Sequence, residues 1–350
     1  MLLIYVITLL LVFWNIKKRP EASMESALSV EQTTMIKGLF VLLIFASHVS
    51  QHLDLSQSSD LLTRGYSVIR NKLGQLIVAP FLFYSGYGIR CAIERKGEPY
   101  LRAFPKQRIL RTYVHTVLIL LLYLLTQLVL GKRYSFGKIL FGFLLWESFG
   151  NSNWYLFAIL MLYLFTWFSF RFIRNRKASI FLCVVLTVGY CLALYRIRDS
   201  YWYNTVFVYC YGLAYPDLKR FFDHRQKGNK TIWLLCCVLF AFLTIVLTFS
   251  RVSVIPKSLC ENVRAITAMT FINLFLRRVR LGNRVLYWFG THVFECYLIQ
   301  RLPMIVFTKM GVQQISVAMF IFACAAATVI LAAFCKRVLN AMDRKVFSAV

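Results

Sequence analysis

Charged side chains make up only 16% of this 350-residue chain, against about a quarter in an ordinary soluble domain. That shortage excludes a water-soluble globule, and the 59% share of hydrophobic residues points to a chain built for lipid. Cysteine pairs of metal-binding spacing are also missing. The ten cysteines are scattered, mostly inside apolar runs, with no C-x-x-C and no Cys/His pattern of a zinc site. Cys236 and Cys237 are adjacent, which does not suit a simple bridge, so the thiols read as small buried hydrophobes and no metal is expected. No internal repeat, low-complexity segment or soluble domain interrupts the chain. About fifteen residues follow Cys335, too few to fold alone. Acidic residues number 14 against 41 Lys and Arg, a formal charge of +27. In a soluble protein that excess would suggest nucleic acid. Here most of the positive charge lies in short segments between apolar runs, so membrane topology and anionic lipid account for it and nucleic acid is not an expected partner.

What the chain does have is apolar runs. They are Leu2–Trp14, Met35–His52, Leu73–Ile93, Ile109–Leu130, Trp154–Phe172, Ala178–Tyr195, Tyr203–Tyr215, Ile232–Phe249, Val263–Leu276, Val285–Phe307 and Ile315–Cys335, eleven candidate spans. Three are short: the first, Tyr203–Tyr215 and Val263–Leu276. A weaker run, Ile139–Phe149, carries Glu147 and reads as an interfacial or re-entrant piece. With alternating sides, 28 of the 41 basic residues fall in one set of linkers and 12 in the other, Arg301 lying within a span. The basic-rich side is cytoplasmic by the positive-inside rule, which puts the N-terminus outside and the C-terminus inside. Leu2–Trp14 has no basic segment before it and no small-residue cleavage site, while Lys17, Lys18 and Arg19 follow, so it reads as an uncleaved anchor. The expectation is an all-α polytopic membrane protein of about eleven transmembrane helices. Residues 1–33 hold the anchor and a polar linker with room for an interfacial helix, 34–338 a ten-helix core, and 339–350 a short cytoplasmic tail.

Few ionisable residues lie inside the spans, and each is a functional candidate because a titratable group in lipid is costly. His48 sits deep in the second run, and imidazole exchanges protons near neutral pH. Lys37 lies eleven residues earlier, roughly 16 Å along a helix and about three turns away. The two therefore share a face, with Lys37 near the inner boundary and His48 in the outer half. A cation below and a possible base above suit a long thin ligand held through the membrane. Ser85, between Tyr84 and Gly86, marks either a packing notch or a reactive hydroxyl, and Tyr87 lies beside it. Arg108 and Arg111 are three apart and either clamp a phosphate together or anchor the helix. Val285–Phe307 carries His292, Glu295, Gln300 and Arg301. A carboxylate there needs a partner, with His292, Arg301 or His48 as candidates, and the alternative is a structural ion pair.

Met35-Ile36-Lys37-Gly38-Leu39-Phe40, ending at Ser47-His48, resembles the opening of the integral-membrane acyltransferase 3 family. In that family a basic residue precedes a histidine by this spacing. Phe83 to Tyr87 is similar to its F-x-S-G-[FY] segment, and Arg108 with Arg111 to its R-x-x-R. Asn153-Trp154-Tyr155-Leu156 matches its tryptophan-led segment, and Leu281-Gly282-Asn283 opens its penultimate helix. The ordered set covers nearly the whole chain. The resemblance implies transfer of an acetyl or other short acyl group from coenzyme A to a hydroxyl of a surface or lipid-linked glycan. Arg108, Arg111 and Lys37 would hold the coenzyme A phosphates, and His48 would act as base or transient acyl carrier, with Glu295 a second catalytic candidate. Acetyl-CoA or another acyl-CoA is then the donor, no metal is needed, and the setting is a bacterial inner membrane. Two departures stand out. Leu298-Ile299-Gln300 occupies the place of a leucine–histidine pair, and no extracytoplasmic esterase-like domain follows the last span. The chain would then transfer directly, hand the group to a separate envelope partner or do something else, and its oligomeric state, a homo-oligomer included, is open. The rival class is a transporter of a small anion or lipid-linked sugar along the same polar track. Against it, the chain has no repeated half and no matching pair of Gly/Pro-broken helices.

Overall fold

The computed structural model describes residues 2–20, 27–53, 60–225, 229–249 and 257–347. Helix α1 (Leu2–Phe13) leads into a two-residue strand, β1 (Lys17–Lys18). Residues 21–26 of the following linker, where an interfacial helix had room to form, lie outside the described residues. α2 (Val30–Val49) starts at Ser29, whose hydroxyl caps the Gln32 amide. α3 (Leu61–Leu73) is capped by Asp60, and a short 3₁₀ stretch from Gly74 to Val78 joins it to α4 (Ala79–Lys96). Gly97, at φ 61°, ends α4. α5 (Glu98–Phe104) runs through a π-helical turn, Pro105–Leu110, into α6 (Arg111–Val129). Then come α7 (Phe136–Phe143), α8 (Trp154–Phe172), α9 (Arg176–Leu194), α10 (Phe207–Arg225), α11 (Lys230–Phe249) and α12 (Lys257–Arg278). Strand β2 (Val279–Arg280) pairs antiparallel with β1. α13 (Arg284–Thr291), α14 (Val293–Ile299), α15 (Arg301–Lys309), α16 (Val312–Ile315) and α17 (Val317–Val346) complete the chain.

Among the described residues, eight helices are long and apolar enough to cross a membrane. The other three expected spans have physical reasons for falling short. α1 has 12 residues. The second half of α10 carries Asp217, Lys219 and Arg220. Val285–Phe307 is broken twice, at His292 and at Gln300. Side chains bond carbonyls beside both breaks, as backbone at membrane depth favours. At the first, the Lys336 ammonium donates to the Thr291 carbonyl. At the second, Tyr123 donates to Leu298 O (2.8 Å) and the Gln300 amide to Tyr297 O (3.2 Å). Pro303 explains the second break, since it has no N–H for the Ile299 carbonyl. Ile139–Phe149 is no crossing: α7 has eight residues and a loop follows. α17 runs to Val346, so most of the expected tail is its last turns, with Asp343 and Phe347 buried.

Without water to drive apolar association, helices in lipid pack through close backbone approach at small residues. Two glycine pairs do this here. A Cβ on Gly38 would lie 1.9 Å from Leu286 O of α13, and one on Gly290 would lie 1.9 Å from Thr34 O of α2. A Cβ on Gly86 of α4 would meet Tyr209 O at 2.3 Å, and one on Gly212 of α10 would meet Phe83 O at 2.3 Å. The Gly86 notch is thus a packing device, and Phe83, Tyr87, Tyr211 and Tyr215 fill the space around it with ring centroids 5.1–6.2 Å apart.

Polar contacts cluster at the two ends of the bundle. At the Lys37 end, Glu94 and Asp217 collect Arg90, Arg176 and Arg220. The β1–β2 ribbon ties the N-terminal segment to α12, reinforced by Gln32 and Leu281 exchanging hydrogen bonds of 2.9 and 2.8 Å. At the His48 end, Arg264 donates to Lys72 O (2.6 Å) and Lys72 to Thr248 O (3.2 Å).

Candidate functional site

His48 lies one residue from the end of α2, where the chain tightens into a 3₁₀ turn, Ser50–His52. Its Nε2 is 3.5 Å from Ser152 Oγ, and its Nδ1 is buried without a hydrogen-bond partner. An orphaned polar atom in a buried place has a desolvation cost and calls for a functional account. Ser152 arrives on the loop between α7 and α8, which folds inward from the end of the bundle. Leu145 at φ 63° and Gly150 at φ 105° make its sharp turns. The loop is self-bonded: Asn151 donates to Asn153, Asn153 to Glu147 O, and Ser148 to Asn151 O at 2.6 Å. Gln127 of α6 holds Phe149 O (2.8 Å), and Arg301 of α15 donates to Gly150 O (2.8 Å) and to Gln51 (2.9 Å).

These elements enclose a cavity of about 690 Å³ with His48 in its wall. Three guanidiniums line it, Arg70, Arg198 and Arg301, against one carboxylate, Glu147. Arg198 stacks 4.0 Å from the Trp146 ring centroid and 4.9 Å from that of Trp202. Trp154, Tyr201 and Tyr297 supply further aromatic wall. Tyr297 is held by Ser152 O (3.4 Å) and packs edge-on against Tyr155, with 5.2 Å between centroids. Arg70 and Arg301 both lie within electrostatic range of the imidazole.

A second polar group forms around Lys37. Arg108 Nε donates to Tyr100 Oη (3.2 Å), and Ser85 Oγ is 2.8 Å from Tyr163 Oη. Tyr163 and Lys37 are both in electrostatic range of Arg108. Arg111 turns elsewhere. It pairs with Asp343 of α17, whose other oxygen is 2.8 Å from His115 Nε2. The expected shared face of Arg108 and Arg111 assumed 3.6 residues per turn. The intervening π-helical turn rotates that phase, and the two arginines hold different partners.

Val285–Phe307 divides its residues similarly. Arg301 and Tyr297 line the cavity, but Glu295 is buried toward α17, in electrostatic range of Lys336, and does not reach His48. Its neighbouring cation is therefore none of the three candidates the sequence offered. His292 stacks on Trp288, 4.0 Å between centroids, and donates from Nδ1 to Trp288 O (2.9 Å). Gln300, 1% exposed, serves the helix break. Tyr87 belongs to the α4–α10 packing. Arg70, Ser152, Arg198 and Tyr297 went unnoticed in the sequence. The run Glu147-Ser148-Phe149-Gly150-Asn151-Ser152-Asn153 was the available signal: too many hydrogen-bonding side chains for a plain turn. Among the described residues, no three His, Cys, Asp or Glu side chains gather as a metal ligand set.

A family profile described as an acyltransferase domain, that of acyltransferase 3, matches residues 33–337. No match was found among curated proteins or among solved structures.

Proposed function

The chain belongs to the acyltransferase 3 family, and on that premise we propose that it moves an acetyl or other short acyl group from coenzyme A to a hydroxyl of a surface or lipid-linked polysaccharide. The observation that carries this reading is α2 itself, which presents a cation at one end and an imidazole with an unbonded nitrogen at the other. Lys37 and Arg108 hold phosphate at the coenzyme end, and the acyl group reaches the cavity wall at His48. His48 accepts the proton of the acceptor hydroxyl as its oxygen attacks the thioester carbonyl. The C–O bond forms, the C–S bond breaks, and the thiolate leaves and is protonated. Arg70 and Arg301 stabilise the oxyanion. The aromatic wall suits the apolar faces of sugar rings, and the three arginines suit an acceptor with negative charge. Arg111, committed to Asp343, anchors α6 to α17.

We place the Lys37 end in the cytoplasm of a bacterial cell, with the N-terminus outside and with the short α1, the polar-ended α10 and the broken Val285–Phe307 segment completing eleven crossings beside the eight long helices. Contacts support this arrangement. Every ion pair between described helices or linkers joins segments assigned to one side, as Arg171 with Glu98 and Arg198 with Glu147.

The deciding experiment incubates purified protein in lipid vesicles with acetyl-CoA and a membrane extract, and measures free thiol. Extract-dependent release is expected. No release across several acyl-CoA donors and extracts overturns the reading and returns weight to transport. The arginines are expected to separate in the same assay. Arg108→Ala raises KM for the thioester about tenfold or more, the worth of a charge-assisted hydrogen bond, at unchanged melting temperature. Arg111→Ala lowers the melting temperature, since it strips Asp343 of a cation, and changes KM little. The opposite pattern reassigns the phosphate contact to Arg111.

A further inference from the structure

A third polar site lies apart from both of these, where the N-terminal ribbon meets α11. Ile16, Lys17, Lys18, Lys230, Trp233, Leu234, Arg278 and Val279 line a pocket of about 460 Å³. Its walls are mostly apolar, yet four cations rim it and, among the described residues, no carboxylate does. Lys17, Lys18 and Lys230 are exposed, and none of the three has an ion-pair partner among the described residues. Arg278 is buried beside Trp233, 5.9 Å from its ring centroid, and the Trp233 indole N–H is fixed by Leu274 O at 2.7 Å. The β1–β2 pairing holds the two strand lysines in place.

The surroundings select the ligand. From this pocket α11 rises with its outward face bare: Leu235, Val238, Leu239 and Phe242 are all more than half exposed. A soluble anion would find the cations but leave this face unused. A phospholipid uses both, with its phosphate among the lysines and its acyl chains along α11. A zwitterionic headgroup brings its own cation into a rim that already holds three exposed lysines. We infer that this pocket binds an anionic phospholipid, in the leaflet at the Lys37 end. Basic pockets between helices at that boundary recognise such headgroups. The inference is independent of the acyl-transfer reading.

The test is lipid retention. Full-length protein is purified from vesicles of equal phosphatidylglycerol and phosphatidylcholine, and bound lipid is counted by native mass spectrometry. Phosphatidylglycerol is expected to be enriched. Lys17→Gln, Lys18→Gln and Lys230→Gln each weaken it about fivefold, from the ~1 kcal/mol that each basic residue contributes near an anionic surface. The side chains are exposed, so the variants should fold, and an unchanged elution profile and melting temperature check this. A triple variant combines the three, and where it is lost Lys230→Gln alone decides. Equal retention of both lipids, or undiminished phosphatidylglycerol on the variants, overturns the inference. So does displacement of the lipid by millimolar inorganic phosphate, which would make the site one for a soluble anion.

Discussion

His48→Ala is expected to lower thiol release by about 100- to 10,000-fold, the span of a positioned proton acceptor, while leaving the melting temperature nearly unchanged. The second half follows from the geometry. The imidazole makes one long hydrogen bond, 3.5 Å to Ser152, its other nitrogen makes none, and its ring contact with Tyr297 is loose, at 6.4 Å between centroids, so little folding energy depends on it. His48→Gln sharpens the test, because an amide fills the space and bonds Ser152 but cannot take a proton. It should be as inactive as alanine. Ser152→Ala should lose far less, since the hydroxyl only orients the ring. Retained activity in His48→Ala would remove the imidazole from the chemistry, and the cavity would then need another base, with Glu147 its remaining carboxylate. Withholding the acceptor separates the two forms of the mechanism. A carrier histidine accumulates acyl-protein and releases one thiol per chain, whereas a general base releases none.

Gly38→Leu should abolish recovery of a monodisperse protein. Even the first carbon of a side chain here would sit 1.9 Å from Leu286 O and 2.8 Å from Gly290 N. These are backbone atoms that cannot rotate away. The penalty exceeds the ~1–3 kcal/mol typical of extra methylenes in a flexible core, because α2 and α13 must separate bodily. α2 carries Lys37 and His48, and α13 leads into the segment with Tyr297 and Arg301, so any survivor should also be inactive. Gly88→Ala is the control. Nothing lies within 4 Å of its Cβ position, and alanine in a helix is favoured over glycine by about 0.5–1 kcal/mol. Size-exclusion profiles and thermal melts of the two variants decide the matter. A well-behaved Gly38→Leu protein would mean that the crossing is looser than described.

The parts of this molecule that hydropathy and charge can reveal were legible. Apolar runs locate helices because lipid demands them. Between Lys37 and His48, α2 is one uninterrupted helix, so counting residues measures distance there. Where the helix is interrupted, counting fails. The π-helical turn before α6 parted Arg108 from Arg111. The loop from Trp146 to Asn153 has no period to read, and its order comes from hydrogen bonds to Gln127 and Arg301, which are distant in sequence. The polar stretch Arg64–Lys72, taken as a linker, is most of α3 and brings Arg70 to the cavity.

The spacing of Lys37 and His48 along α2 also has a kinetic consequence. If donor and acceptor enter from opposite ends, as proposed, neither blocks the other's approach or exit. With His48 as general base, binding would then have no compulsory order, and spent coenzyme A would compete with the thioester but not with the glycan. Product on one side cannot inhibit by occupying the other side's entrance. On the proposed reading the thioester bond itself would drive the transfer, with no call on an ion gradient, and the modification would accumulate on the far side of the membrane while the carrier stayed on the near one.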